Sequence, residues 1–206
     1  MSRLSLIRSA SRLVWLTALV LGGCAIGRPT TPPPATYDFG PLPVPLGGAD
    51  RSSLGLEVRM PAWVDSTGIA YRLAYGEGGR RYEYGLSRWS APPAQLLALN
   101  WRQQLGLSRG GEGSDRRCRI RVEVDEFIQV FDTPQSSRGL LQGRMTLVGK
   151  QGTVLGVQPL QQIRPAPAPD ARGGTVALTE AASAAGQAMV AWLHSMEEGG
   201  RLRDCR

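Results

Sequence analysis

The clearest structural signal in this chain of 206 residues is a strand over residues 117–131. Cys118, Ile120, Val122 and Val124 alternate with charged residues, the period-two pattern of a strand that buries one face. From Phe127 to Phe131 both faces are largely apolar, so we expect that end to be covered on both sides. A chain built around such a strand must pack other elements against a sheet.

Shorter strand patterns lie on either side of this run. They are predicted at residues 36–39, 54–60, 69–75 and 82–84 before it, and at 141–147 and 153–157 after it. Residues 164–170 contain three prolines and are interpreted as a stiff extended connector.

Two helices are predicted from apolar residues at helical spacing. The first is expected to take Ser90 as its N-cap, to bury Leu97 and Trp101, and to end near Gly106. The second is expected over residues 175–196 and is rich in alanine. The order of elements predicts an α+β fold in a single domain, with a mostly antiparallel sheet of about six or seven strands and two helices packed on it.

The N-terminus has the features of a lipoprotein signal. An arginine-flanked apolar run, residues 13–21, is too short to span a membrane and leads into Leu21-Gly22-Gly23-Cys24, which resembles a lipobox. We therefore predict a signal peptide over 1–23, a lipidated Cys24 with a proline-rich tether over 24–35, and a folded domain over 36–206. The alternative is an ordinary secretory signal that contains an incidental cysteine.

The residue after Cys24 is Ala25 rather than Asp. By similarity to proteobacterial sorting, this predicts the periplasmic face of the outer membrane, with the chain held to it by the N-terminal lipid. The prolines of residues 25–35 favour a polyproline tether of about 3.1 Å per residue, which would let the domain stand up to roughly 30 Å from the lipid surface.

The charge of the chain does not indicate nucleic-acid binding. There are 24 basic and 17 acidic residues, but three arginines lie in residues 1–23, which leaves 21 against 17, or +4, for the rest. Lys150 is the only lysine, and no basic stripe is interleaved with aromatic residues. We therefore expect no nucleic-acid partner.

Two further cysteines, Cys118 and Cys205, follow Cys24. An oxidising compartment favours a disulfide between them, and the alternative is two free thiols. The bridge would close a long loop, which in the chain-entropy model contributes roughly 4–5 kcal/mol by constraining the unfolded state.

The sequence contains no recognisable catalytic constellation. His194 is the only histidine and is interpreted as an ordinary residue near the end of the last helix, so a histidine-rich zinc site is not expected. The run Gly106-Leu107-Ser108-Arg109-Gly110 matches G-x-S-x-G, but it follows a predicted helix rather than a strand, so no serine lies in a nucleophile elbow. No phosphate-binding glycine loop follows a predicted strand. Asp125 and Glu126 are neighbours on a strand and would point to opposite faces. We predict no metal, no cofactor and no enzyme activity.

Arginine and aromatic residues near predicted turns are the candidates for an interface, because these residue types anchor protein contacts. For Arg88 and Trp89, before the first helix, an interface role and core packing are both open. Arg88 could instead tie the entrance of that helix to Asp65 or Glu83.

Several segments together resemble one family, the auxiliary lipoproteins of ABC-type, MCE-associated lipid transport systems. The segments that carry the resemblance are Tyr37-Asp38-Phe39, Pro61-x-Trp63-x-Asp65, Ile69-x-Tyr71-Arg72, Ser87-Arg88-Trp89 and Glu126-Phe127-x-Gln129-x-Phe131. The resemblance covers most of residues 36–195.

The resemblance implies a non-enzymatic component that docks an MCE-domain protein and an ABC permease and ATPase to the outer membrane, with a homo-oligomer left open. It implies partner binding at Tyr71, Arg72, Ser87, Arg88 and Trp89. The alternative is a stand-alone envelope lipoprotein that binds a small ligand or supports envelope integrity. A third hypothesis, a periplasmic hydrolase, requires a nucleophile and a base and is disfavoured because His194 is the only histidine.

Overall fold

The structure is a computed structural model that describes residues 32–41, 43–46, 51, 53–77, 79–107 and 117–205. The lipobox at Leu21–Cys24 and residues 25–31 of the expected tether lie outside these residues. The described elements are β1 (Ala35–Tyr37), β2 (Leu54–Arg59), β3 (Gly68–Leu73), β4 (Tyr82–Trp89), α1 (Pro93–Gln104), β5 (Cys118–Thr133), β6 (Ser136–Val148), β7 (Val154–Pro165) and α2 (Ala171–Glu198), with 3-10 turns at Lys150–Gly152 and Arg203–Cys205. The α+β prediction for a single domain is confirmed.

The strands form one mixed sheet in the order β1-β4-β3-β5-β6-β7. β2 and β3 lie one after the other along the same side of β5, with Leu54 opposite Cys118 and Tyr71 opposite Gln129. Among the described strands three pairings are parallel (β1–β4, β2–β5 and β3–β5) and three are antiparallel (β3–β4, β5–β6 and β6–β7).

The prediction of a mostly antiparallel sheet is therefore corrected to a mixed sheet. The antiparallel pairs join strands that follow each other along the chain, which turn patterns in the sequence indicate. Each parallel pair joins strands separated by other elements, because parallel strands need a crossover connection. Contacts at that range leave no local pattern in the sequence.

A bulge in β5 explains how its two halves share one core. The register with β6 shifts between Val124 and Glu126. An extra residue in one strand interrupts the alternation of side chains. Val124 and Phe127 consequently belong to the same buried cluster, although they are three positions apart and regular alternation would place them on opposite faces.

β7 is longer than predicted and ends at Pro165, so the start of the predicted connector belongs to the sheet. Arg138 of β6 is opposite Pro165. β7 is an edge strand with one neighbour, where a proline without an N–H is tolerated because that side of the strand needs no donor.

Helix α1 is capped from outside the helix. Pro92 occupies the N-cap position without a side-chain cap, and the backbone N–H of Ala94 donates instead to Asp65 Oδ1 at 2.8 Å. The prediction of Ser90 as N-cap is wrong, because a residue distant in sequence supplies the acceptor. The helix ends at Gln104, near Gly106 as expected. At Gly106 φ is +67°, and the N–H of Leu107 donates to the carbonyl of Arg102 at 2.9 Å.

Helix α2 starts earlier than predicted, at Ala171, because Asp170 serves as its N-cap and accepts the N–H of Gly173 at 2.7 Å. Both helices lie against the sheet face that carries the main core. Trp101 Nε1 of α1 donates to the carbonyl of Ala182 at 2.8 Å, which joins the two helices. None of the described helices has the length and apolarity needed to cross a membrane.

A disulfide joins Cys118 and Cys205, whose Cα atoms are 5.2 Å apart. It closes a loop across 87 positions of sequence and ties the start of β5 to the C-terminal 3-10 turn. The sequence left open a disulfide or two free thiols, and the structure contains the disulfide.

Candidate partner-binding surface

A hydrogen-bond network around Gln129 joins the sheet to the start of α2. The Tyr84 hydroxyl donates to Gln129 Oε1 at 2.9 Å, and Gln129 Nε2 donates to Ser137 Oγ at 2.8 Å and to the carbonyl of Asp170 at 3.2 Å. Gln129 is fully buried, so these partners replace the water that its amide loses on folding.

Tyr71 lies in an aromatic cluster beside this network. Its ring stacks on Tyr82 at a centroid distance of 5.2 Å, and it lies 4.7 Å from the ring of Tyr84 and 5.7 Å from that of Phe131. Burial, together with neighbouring Tyr71 and Asp170, raises the pKa of Tyr84 well above its ordinary value. The arrangement keeps Tyr84 protonated, so that it can donate to Gln129.

Trp89 is a core residue, so of the two roles left open for it by the sequence, the structure shows core packing. Its side chain is 2% exposed, and its ring packs edge-on against Phe39 at 5.5 Å and lies 5.7 Å from Phe127. The physical reason is the position of Trp89 at the end of β4, where its side chain enters the main core. A ring held in this way fills space that no partner reaches.

The sheet face opposite the helices carries shared ion pairs. Arg72 Nη2 lies 2.9 Å from Glu126 Oε1, and Arg81 Nη1 lies 3.3 Å from Glu126 Oε2. Two guanidinium groups thus share one carboxylate, which leaves one positive charge in excess. The three side chains lie near a small second cluster of buried residues, Ala70, Ile128 and Val130, that is separate from the main core.

A second cluster in which several arginines share one carboxylate surrounds Glu57 in β2. Arg59 Nε donates to Glu57 Oε1 at 2.6 Å, and Arg119 and Arg121 lie 3.5 and 3.6 Å from Oε2. Partial burial alone would raise the pKa of Glu57, but the hydrogen bond from Arg59 and the three positive charges lower it overall. This group also has more positive than negative charge.

Ser87 and Arg88 lie where β4 meets β1. Ser87 is opposite Ala35, and the exposed Arg88 places Nε 3.5 Å from Thr36 Oγ1. The proposed tie from Arg88 to Asp65 or Glu83 is absent from the hydrogen bonds of the described residues. Asp65 caps α1 instead, and Glu83 Oε1 accepts the hydroxyl of Ser66 at 3.0 Å.

The five predicted residues therefore do not form one continuous surface. Tyr71 and Trp89 face the main core side, whereas Arg72 is on the opposite face by the alternation of β3. Arg88 is opposite Gly68 at the start of β3, at the other end of this strand from Arg72. Of the five residues, Trp89 is buried, Arg88 is exposed, and Tyr71, Arg72 and Ser87 are half-buried.

A groove of about 490 Å³ lies between β7 and α2, and the sequence did not indicate it. Its walls include Leu160, Gln162, Ala188 and Trp192. The one hydroxyl at its rim, that of Ser195, donates to the carbonyl of Trp192 at 2.7 Å. The lining residues include no acid, histidine or cysteine, so the groove offers shape and amide groups rather than a nucleophile with a base.

Gln129 was also missed, although a signal for it is present. It is the one amide in the apolar run from Phe127 to Phe131, and a polar side chain in a strand buried on both faces must find hydrogen-bond partners. The groove has no such signal, because it depends on where α2 packs relative to the sheet edge.

Among residues 32–41, 43–46, 51, 53–77, 79–107 and 117–205, no group of three or more potential ligands could hold a metal ion. His194 is exposed, and its Nε2 lies 3.3 Å from Glu198 Oε1 on the same helix.

Comparison with solved structures identifies the fold. The structure is similar to that of a protein of the DUF330 family from Xanthomonas campestris, with a TM-score of 0.67 and 15% identity over 81% of this chain and 98% of that one. It is also similar to an uncharacterized protein, with a TM-score of 0.61 and 17% identity over 78% of this chain and 99% of that one. No curated protein sequence matches the chain.

The family model described as the ABC-type transport auxiliary lipoprotein component matches residues 48–190 of this chain. This chain therefore belongs to the family of ABC-type transport auxiliary lipoproteins, and the resemblance seen in the sequence is confirmed. Membership makes it a lipoprotein component that accompanies an ABC-type transporter.

Proposed function

We propose that this chain is an auxiliary component of an MCE-associated ABC lipid transport system, held at the periplasmic face of the outer membrane, where it docks the transporter. The observation that carries the proposal is the family match over residues 48–190. Cys24 would carry the lipid, and the proline-rich tether would give the domain its distance from the membrane. The chain would bind and position its partners and would catalyse no reaction.

The accessible arginines support a docking role for the sheet face opposite the helices. Glu126 is shared by two arginines, and Glu57 is in contact with three. Guanidinium groups that are not fully neutralised can form forked contacts with carboxylates of a partner. An acidic surface on an MCE-domain subunit would complement this face, and Arg72 and Arg88 would contribute contacts at the two ends of β3.

Purification of the tagged chain from cross-linked membranes tests the proposal. We expect MCE, permease or ATPase subunits to be recovered, and recovery to fall when Arg72→Gln and Arg88→Glu are combined. Arg172→Glu, at an exposed position on α2, is the matched control and should leave recovery unchanged. Recovery of none of these subunits with the unaltered chain would contradict the proposed function.

The groove between β7 and α2 favours a second candidate, a stand-alone lipoprotein that binds a small ligand. Its volume of about 490 Å³ is in the range of small-molecule sites, roughly 300–1,000 Å³. Native mass spectrometry of the purified chain would detect a co-purified ligand. Ala188→Trp, which fills the groove, should abolish such a complex while leaving subunit recovery intact.

A further inference from the structure

Trp63 is the most exposed aromatic side chain in the described part of the chain, at 73%. It lies in the connection between β2 and β3, outside both buried clusters. An exposed tryptophan contributes little to the stability of its own domain, but it offers a large apolar surface with one N–H donor at its edge. Its position therefore suggests a contact outside the domain.

The backbone holds the Trp63 turn in place on both sides. The N–H groups of Val64 and Asp65 donate to the carbonyl of Pro61 at 2.8 and 3.0 Å. The side chain of Val64 is buried, and that of Asp65 caps α1 through Ala94. The ring consequently projects from a fixed turn, which lowers the entropy cost of ordering it in a complex.

We propose that Trp63 inserts into the headgroup region of the membrane to which the chain is anchored. This proposal rests on the lipid anchor at Cys24 that is part of the proposed function. The occupant is the anionic surface of a bilayer, and the inserted ring would orient the domain so that its other faces stay free for partners. A protein partner at Trp63 is the competing outcome that the experiment below distinguishes.

The length of the tether favours contact between the membrane and the side of the domain that carries β1 and Trp63, rather than the β7 edge. The segment after Cys24 enters the sheet at Ala35 in β1. Tyr37, at the end of β1, is opposite Trp89 of β4. The N–H of Trp89 donates to the carbonyl of Thr67 at 2.8 Å, which connects this edge of the sheet to the segment that carries Trp63. Trp63 is only four residues before Thr67. By contrast, β7 is five strand positions from β1, or about 24 Å at the usual strand spacing of about 4.8 Å. A tether of roughly 30 Å would be nearly taut if the β7 edge met the membrane.

The neighbouring side chains suit a lipid surface. Leu86 of β4 is exposed beside Ser87, which is opposite Ala35 where the tether enters. Arg59 is exposed at the end of β2, four residues before Trp63. Tryptophan favours the boundary between headgroups and acyl chains, while arginines nearby attract anionic phosphates.

The test uses the mature acylated protein in vesicles of phosphatidylethanolamine and phosphatidylglycerol. Tryptophan emission is measured with brominated lipids, which quench from the bilayer, and with acrylamide, which quenches from water. Trp89 and Trp101 are buried in the core, and the half-buried Trp192 is replaced by Phe in every protein tested, so Trp63 supplies the response to its surroundings. We expect quenching by brominated lipid and protection from acrylamide, and we expect Trp63→Phe to lose the lipid-dependent quenching.

A tryptophan moved to the far edge of the sheet is the matched control. Val157→Trp in the Trp63→Phe background places the ring at an exposed position on β7 and should remain open to acrylamide without quenching by lipid. Protein that floats with the vesicles while Trp63 stays open to acrylamide overturns the insertion and leaves the anchor standing. Protection of Trp63 only after transporter subunits are added overturns it in favour of a protein contact. Protein that does not float overturns the anchor and the insertion together.

Discussion

The side-chain amide of Gln129 in β5 donates to the backbone carbonyl of Asp170, the N-cap of α2, at 3.2 Å. One residue of the central strand thereby positions the first turn of the longest helix. The same amide is held by Tyr84 and Ser137 on two other strands. The Glu-Phe-x-Gln-x-Phe run that marks the family in the sequence thus contains a residue that fastens the two layers of the fold.

Replacing Gln129 should destabilise the domain. Gln129→Leu removes the hydrogen-bond partner of the Tyr84 and Ser137 hydroxyls. We expect a cost of about 2–3 kcal/mol in the free energy of unfolding, measured by urea titration. Gln142→Leu, at an exposed position of β6, is the control and should change it by less than about 0.5 kcal/mol. Equal effects of the two substitutions would show that the network contributes nothing.

Close approach of α2 to the sheet requires the absence of a side chain at Gly139. A Cβ atom there would lie 2.8 Å from the backbone of Ala177 and Leu178, and helix backbone cannot move aside cheaply. We expect Gly139→Ala to lower the free energy of unfolding by about 1–3 kcal/mol. Gly85→Ala, where nothing lies within 4 Å, is the matched control. A fully stable Gly139→Ala protein would contradict this packing.

The Cys118–Cys205 bridge should be detectable in solution. A thiol assay on the denatured, unreduced mature protein should find no free thiol from these two residues. Replacing both with serine should lower the free energy of unfolding by roughly 4–5 kcal/mol in the chain-entropy model, because the unfolded chain gains freedom across a loop of 87 positions. Two free thiols in the unaltered protein would exclude the bridge.

Stability should fall at alkaline pH through Tyr84. Its pKa is raised on folding above the ordinary value of 10.0, so the folded state keeps a proton that the unfolded state loses. This contribution is complete below about pH 10 and declines above it, by about 1.4 kcal/mol per pH unit for one proton. Tyr84→Phe should flatten that decline in urea titrations at pH 9 to 11, whereas Tyr75→Phe, at an exposed residue, should leave it as it is. Equal slopes for all three proteins would contradict the assignment.

Local patterns were sufficient for most of the elements. The alternation in β5, the glycine that ends α1 and the alanine-rich stripe of α2 are each visible within a short window, because strand and helix periodicities are local properties. The strand predictions erred at their ends, as for β7. The N-cap of α1 was missed because its acceptor, Asp65, is 29 positions from Ala94.

For the candidate site, too, local patterns in the sequence were informative and long-range contacts were not predictable. The sequence indicated that arginine and aromatic residues near β3 and β4 were unusual, but residue type alone does not separate core from surface. Burial of Trp89 against Phe39 and Phe127 depends on how β1, β4 and β5 come together. The sharing of Glu126 by Arg72 and Arg81 likewise joins β5, β3 and the residue that precedes β4.

By itself the sequence determined the family, the α+β class, the order of the elements and the expectation of a lipid anchor, because each rests on motifs or on periodicity along the chain. Only the tertiary structure decided the parallel pairing of β2 and β3 with β5, the core position of Trp89, the groove between β7 and α2, and the exposure of Trp63. These features depend on contacts between residues far apart in sequence, and such contacts are set by the packing of the whole domain.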